Sequence, residues 1–186
     1  MKIRGDFMRK KIIIGISLFL AFVLLIVAIE NKDKVKGTDG ILRVAYKEID
    51  AYGVDKSDYS ILGSVTKYNE ITRRNEILVW VMTENKVGIK NYHPLMFEIL
   101  DNNKYEFEHY YRNFMSIRED VCYVRLTNGH SFMVNTSEYE YLNLYDQDRN
   151  LTQIKIDSVP FVYYTDIKLY NCTVVDFEGN EFARIK

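Results

Sequence analysis

The sequence predicts a mainly β chain, an antiparallel β-sandwich or partly open barrel carried behind one N-terminal transmembrane helix. Three observations predict it. Ile12 to Ile29 is a run of 18 residues without a charge, and from Tyr59 onward runs of β-branched and aromatic residues recur between turn residues. Only two prolines interrupt the whole chain.

The apolar run, IIIGISLFLAFVLLIVAI, comes first. As a helix it reaches about 27 Å, close to the hydrocarbon thickness of a bilayer, with every backbone hydrogen bond made internally. Its apolarity goes all the way round, which disfavours an amphipathic core helix. Lys2, Arg4, Arg9, Lys10 and Lys11 precede it, whereas Lys32, Lys34 and Lys36 follow, mixed with Glu30 and Asp33. That bias favours a cytoplasmic N-terminus and an exported remainder. A cleavable signal would want a shorter core and small residues at the cut, and Ala28 is the only small residue near the end. The expected organisation is a basic cytoplasmic tail (1–11), a retained anchor (12–29), a polar tether (30–40) and an extracytoplasmic β domain (41–186). A sub-boundary is expected near 112–120, where RNFMSIRED is the least strand-like interval.

Removing the first thirty residues leaves 20 basic against 24 acidic residues, a net charge of −4. A mildly acidic exported part is a poor electrostatic partner for nucleic acid. It is rich enough in Tyr, Phe, Ile and Val to bury a core. Abundant Ile, Lys, Asn and Tyr point to an AT-rich genome.

Within the β domain, Ile41, Val44, Ala45 and Ile49 share one face of a short helix over 41–50. Strands are expected at 60–68 and 76–83, and the second, containing ILVWVM, is apolar on both faces, as a doubly covered central strand must be. Pro94 falls near the start of the run 95–100, which turns through Asp101-Asn102-Asn103 into 104–111. VCYVRLT-Asn128-Gly129-HSFMVNT reads as a type I′ hairpin that pairs Val124 with Met133 and puts Cys122, Val124, Leu126 and Met133 on one core-facing side. Hairpins follow at 138–145/151–156 and 170–177/181–185, with PFVYY between them. By fold-level analogy the final seventy residues or so are expected to form an immunoglobulin-like unit.

A basic N-terminus, a span, and a β domain ending in VPFVYYTD and VVDFEGNEFARI together resemble small uncharacterised membrane-anchored proteins of low-GC Gram-positive bacteria. The resemblance implies the location and no particular chemistry.

Asp146, Asp148 and Asn150 have the spacing that opens a calcium loop, but Leu151 stands where the loop needs glycine and Asp157 where it needs glutamate. A hairpin turn is the better reading, and no metal or other cofactor is expected. His93, His109 and His130 form no ligand pair, and no nucleophile, phosphate-loop or paired-carboxylate motif is present, so no catalytic residue is named. Cys122 and Cys172, both on expected strands in the exported part, are expected to form a disulfide. Tyr105, Tyr139, Tyr141 and Tyr163 are the candidate ligand-binding residues, an aromatic platform for a protein, peptide or glycan outside the membrane. Cross-strand packing is the competing explanation for those rings. Two functions stay open: an interaction module, and a cell-envelope hydrolase or other enzyme on a β scaffold.

Overall fold

The computed structural model describes residues 34–49, 55, 58–101 and 103–183. The run 12–29, expected to be the anchor, lies outside them. Among the described residues no helix is long and apolar enough to cross a membrane. The chain divides into Met1–Lys34 and Val35–Lys186.

From Lys34 the chain runs β1 (Lys34–Lys36), α1 (Gly37–Glu48), β2 (Tyr59–Asn69), β3 (Arg74–Glu84), β4 (Lys90–Asp101) and β5 (Lys104–Tyr110). Then follow β6 (Met115–Arg118), β7 (Val121–Leu126), β8 (Gly129–Val134), β9 (Tyr139–Asp146), β10 (Leu151–Lys155), β11 (Phe161–Thr165), β12 (Leu169–Asp176) and β13 (Glu181–Ala183). They form three sheets: A in the order β1-β5-β4-β3-β2, B as β11-β8-β7-β6, and C as β10-β9-β12-β13. The registered pairs are antiparallel.

The sheets stack because alternate residues on the central strands are apolar on both sides. On β3, Val79 and Val81 pack against Ile41, Val44, Ala45 and Ile49 of α1 and the residue that caps it, while Leu78 and Trp80 face sheet B. On β7 and β8, Cys122, Val124, Leu126 and Met133 meet Leu78, Trp80, Tyr92 and Met96 of sheet A. The opposite side of sheet B presents Val121, Phe132 and Val134 to Leu142, Leu144 and Val174 of sheet C. The order of layers is therefore helix, A, B, C. Each fully buried Leu, Val or Phe contributes about 1.5–3 kcal/mol, so strands apolar on both faces are stable only inside such a stack. The Trp80 indole N–H donates to Ser131 Oγ at 3.1 Å, which satisfies both buried groups across the A–B interface.

Three of the hairpins share one chemistry. In Asn85–Ile89, Asp146–Asn150 and Asp176–Asn180, the first side chain's Oδ1 accepts the backbone N–H groups two and four residues on, at 2.8–3.1 Å. The fourth residue has positive φ: Gly88 at 80°, Arg149 at 64° and Gly179 at 85°. An Asx side chain followed by a left-handed residue is the physical content of the three-residue loop with a G1 bulge.

Several expectations need correcting. Residues 34–40, expected to belong to the tether, form β1 and the first turn of α1, and the Gly37 N–H donates to the Asn103 carbonyl at 3.0 Å. The helix thus starts four residues before the predicted Ile41, because Val35 and Ile41 find apolar partners on sheet A. Pro94 lies well inside β4 rather than near its start. Its carbonyl accepts from the Tyr111 N–H at 3.0 Å, so its ring nitrogen points to the same side, where β5 has ended and no donor is required. The interval 115–118 is a strand, β6, on the edge of sheet B. The turn between β7 and β8 is Thr127-Asn128, with Leu126 opposite Gly129 and Cys122 opposite Met133. That register differs from the predicted one by two residues, an even number, so every side chain keeps its predicted face.

The disulfide is not formed. Cys122 lies in the cluster between sheets A and B and Cys172 in the cluster between B and C, so sheet B separates the two buried thiols. Burial pushes the Cys122 thiol up to about 11.

Candidate functional site

The outer face of sheet C carries a set of polar and aromatic side chains that runs from buried Asn143 and Thr173 to exposed Glu181 and Tyr170. On β9, Leu142 and Leu144 point into the core, so Tyr141, Asn143 and Tyr145 point out. Their cross-strand neighbours are Gln153 on β10, Asn171 and Thr173 on β12, and Ala183 on β13. Glu181 sits at the centre of the network. Its Oε1 accepts from the Tyr145 hydroxyl at 2.7 Å, from Asn143 Nδ2 at 3.2 Å and from the Thr173 hydroxyl. The Gln153 amide in turn donates to Asn143 Oδ1 at 3.0 Å. Hydrogen bonds from Thr173 and then Tyr145 hold the Glu181 carboxyl below its usual range. One oxygen takes three donors, so the orientation of the carboxylate is fixed before any ligand arrives.

Tyr170 and Arg149 complete the face. A bulge between Leu169 and Asn171 turns Leu169 toward the core and leaves Tyr170 63 % exposed. The Arg149 guanidinium lies 5.4 Å from the Tyr170 ring centroid, held there by the positive φ of the β9–β10 turn. Tyr145, Arg149, Tyr170, Asn171, Thr173, Glu181 and Ala183 line a shallow depression of about 470 Å³.

Of the four predicted binding tyrosines, one reaches this face. Tyr141 does, beside Lys155 and Val175. Tyr139 is buried against Phe182, because the strand shifts register between Asp176 and Val175 and reverses the alternation on β9. Tyr163 stacks on Phe161 at 6.2 Å beside the B–C core. Tyr105 is on sheet A, against Phe97 and the helix-facing cluster, its hydroxyl donating to Asn103 Oδ1 at 2.7 Å. Those three rings are packing residues. Sequence reasoning missed Tyr145's partners, Arg149, Tyr170 and Glu181. The available signal was Asn143 in the middle of an aromatic alternation, a polar group where cross-strand packing alone would want another ring.

Asp146, considered as a calcium ligand, has both carboxylate oxygens engaged in its own turn, Oδ1 with two backbone N–H groups and Oδ2 with the Asn150 amide at 2.9 Å. Among the described residues no group of three His, Cys, Asp or Glu is arranged to hold a metal.

His93 is the one histidine hydrogen-bonded to hydroxyls on both nitrogens among the described residues: Nε2 to Thr83 Oγ1 at 2.9 Å and Nδ1 to the Tyr110 hydroxyl at 2.8 Å. Thr83 is fully buried and His93 is 8 % exposed, and the trio ties β3, β4 and β5 together. It is a cross-strand brace. Burial lowers the His93 pKa from 6.5 to about 4. The native state thus keeps a neutral ring where the unfolded chain binds a proton. Its contribution is fully present above pH 6.5 and is lost as the pH falls toward 4, a change of about 3 kcal/mol. Urea midpoints measured across that range should fall on acidification, and more steeply than in His93→Gln. Equal slopes in the two proteins would show that His93 is protonated in the native state.

Comparison of the chain with protein-family models, with curated proteins and with solved structures gives no match to any of them.

Proposed function

We propose that the protein is a single-pass, membrane-anchored binding module, with its N-terminus cytoplasmic and its β domain displayed outside the membrane. Residues 12–29 are the anchor and the outer face of sheet C is the binding surface. The observation that supports binding is the Glu181 network, in which Asn143, Tyr145 and Thr173 converge on one carboxylate at an otherwise open sheet face. The network is rooted in the buried Asn143 and Thr173 and reaches the surface at Glu181 and Tyr145, next to an exposed tyrosine and a guanidinium, so the buried end fixes the groups that a ligand would meet. Sheets B and C facing each other across one core support a sandwich as the display scaffold, with rigid strands rather than loops carrying the site. No catalytic role is assigned.

Arg149 offers a test that leaves the fold alone. Gly179 occupies the matching position of the β12–β13 turn, so Arg149→Gly keeps the turn while removing the guanidinium. Stability should change by no more than about 1 kcal/mol. Binding of the full-length protein to envelope material from the cells that make it should fall in Arg149→Gly and in Tyr170→Ala. Undiminished binding in both, or no binding by the wild type, would overturn the assignment. The topology has its own check: protease added to wall-stripped cells should digest the β domain, and full protection of that domain would place it inside.

A further inference from the structure

The depression beside Glu181 has two neighbours. A second depression of about 280 Å³ shares Tyr170 and Asn171 with it. A third, of about 680 Å³, shares Arg125, His130 and Leu169 with the second. Shared lining residues place the three side by side, from the Thr127–Gly129 turn past the start of β12 to the outer face of sheet C. A single small ligand fills roughly 300–1,000 Å³, so three adjoining depressions suit something extended.

Two features narrow the chemistry. Three cations line the groove, Arg125, Lys168 and Arg149, against three carboxylates, Glu70, Asp166 and Glu181. Balanced charge gives no net field to attract a polyanion or a polycation. Exposed tyrosines stand along it, Tyr68 in the third depression at 56 % exposure and Tyr170 between the first and second at 63 %. A phenol ring offers an apolar face and a polar edge at little ordering cost, which suits a ligand with apolar ring faces and hydroxyl or amide rims. An extended neutral polymer with that alternation is a polysaccharide. We infer that the groove binds a neutral glycan strand, held by Tyr170 and the Glu181 network in the first depression and by Tyr68 in the third. This rests on the binding face proposed above and adds the ligand class.

The probe is a series of β-1,4-linked N-acetylglucosamine oligomers, from the disaccharide to the hexasaccharide, titrated calorimetrically into the full chain in detergent. Affinity should rise with length by at least about tenfold. Tyr170→Ala should weaken every oligomer, whereas Tyr68→Ala should weaken the long ones and leave the disaccharide unchanged. Both side chains are mostly exposed, so neither variant removes core packing. Length-independent affinity that depends on Tyr170 alone would overturn the groove. Binding of envelope material through Tyr170 and Arg149 with no response to any oligomer, or with response to envelope peptides instead, would overturn the glycan class and leave the face. Loss of both would remove the binding face as well.

Discussion

Glu76→Gln should destabilise the protein by about 3–5 kcal/mol, seen as a drop in the urea midpoint with little change in slope. Lys67 and Glu76 face each other across β2 and β3, with Nζ and Oε2 2.9 Å apart and side chains only 3 % and 4 % exposed. Asn69 donates to the other carboxylate oxygen, and its own Oδ1 accepts the Ile71 and Thr72 backbone N–H groups. The ion pair is therefore tied to the β2–β3 turn. Glutamine keeps the shape and removes the charge, leaving the buried Lys67 ammonium without the carboxylate it touches. The pair itself need not be a large net stabiliser, since two apolar residues could serve as well. Lys67→Met combined with Glu76→Leu should accordingly recover most of what Glu76→Gln loses. A single-variant cost below about 1 kcal/mol, the range of a surface pair, would mean that water reaches the site.

The parts of this fold that were legible in the sequence are those set by alternation. ILVWVM announced a strand covered on both sides, and Val79, Val81, Leu78 and Trp80 are divided between two cores accordingly. Cys122, Val124, Leu126 and Met133 share their predicted face even though the turn between them was misplaced, because facing depends only on parity. What alternation cannot show is where it breaks. The irregularity at Val175/Asp176 put Tyr139 in the core, the reverse of its predicted side, and the one at Leu169/Asn171 put Tyr170 at the surface, although alternation with the core-facing Cys172 and Val174 would turn it inward. A bulge adds one residue to one strand and leaves little mark in composition. The candidate site depends on the second bulge, so its central tyrosine was hidden by the rule that located the strands. The cysteines failed differently. Both sit on inward-facing positions, as expected, but inward on a sheet with two covered faces is not one place.

Gly129→Ala should cost about 3–5 kcal/mol, combining a strained backbone with overpacking. Gly129 has φ 141°, a conformation that residues with a Cβ rarely adopt. The space is closed as well. A Cβ there would lie inside the contact distance of the Thr165 carbonyl oxygen and 2.9 Å from the Tyr164 hydroxyl. Both neighbours belong to β11, which pairs with β8 so that Thr165 stands opposite His130, and the Tyr164 hydroxyl donates to the Asn128 carbonyl. Relief would require the end of β11 to move off the turn, opening that hydrogen bond and the wall of the groove. The glycine thus serves close approach of a third strand, where the Asn-Gly pair suggested a two-residue turn. Gly179 provides the control: it too has positive φ, 85°, but a Cβ there meets nothing within 4 Å. Gly179→Ala should cost only the conformational part, about 1–2 kcal/mol. The difference between the two variants measures the contact with β11. Equal costs for the two substitutions would mean that β11 does not press on the turn, and the groove built along it would lose its wall.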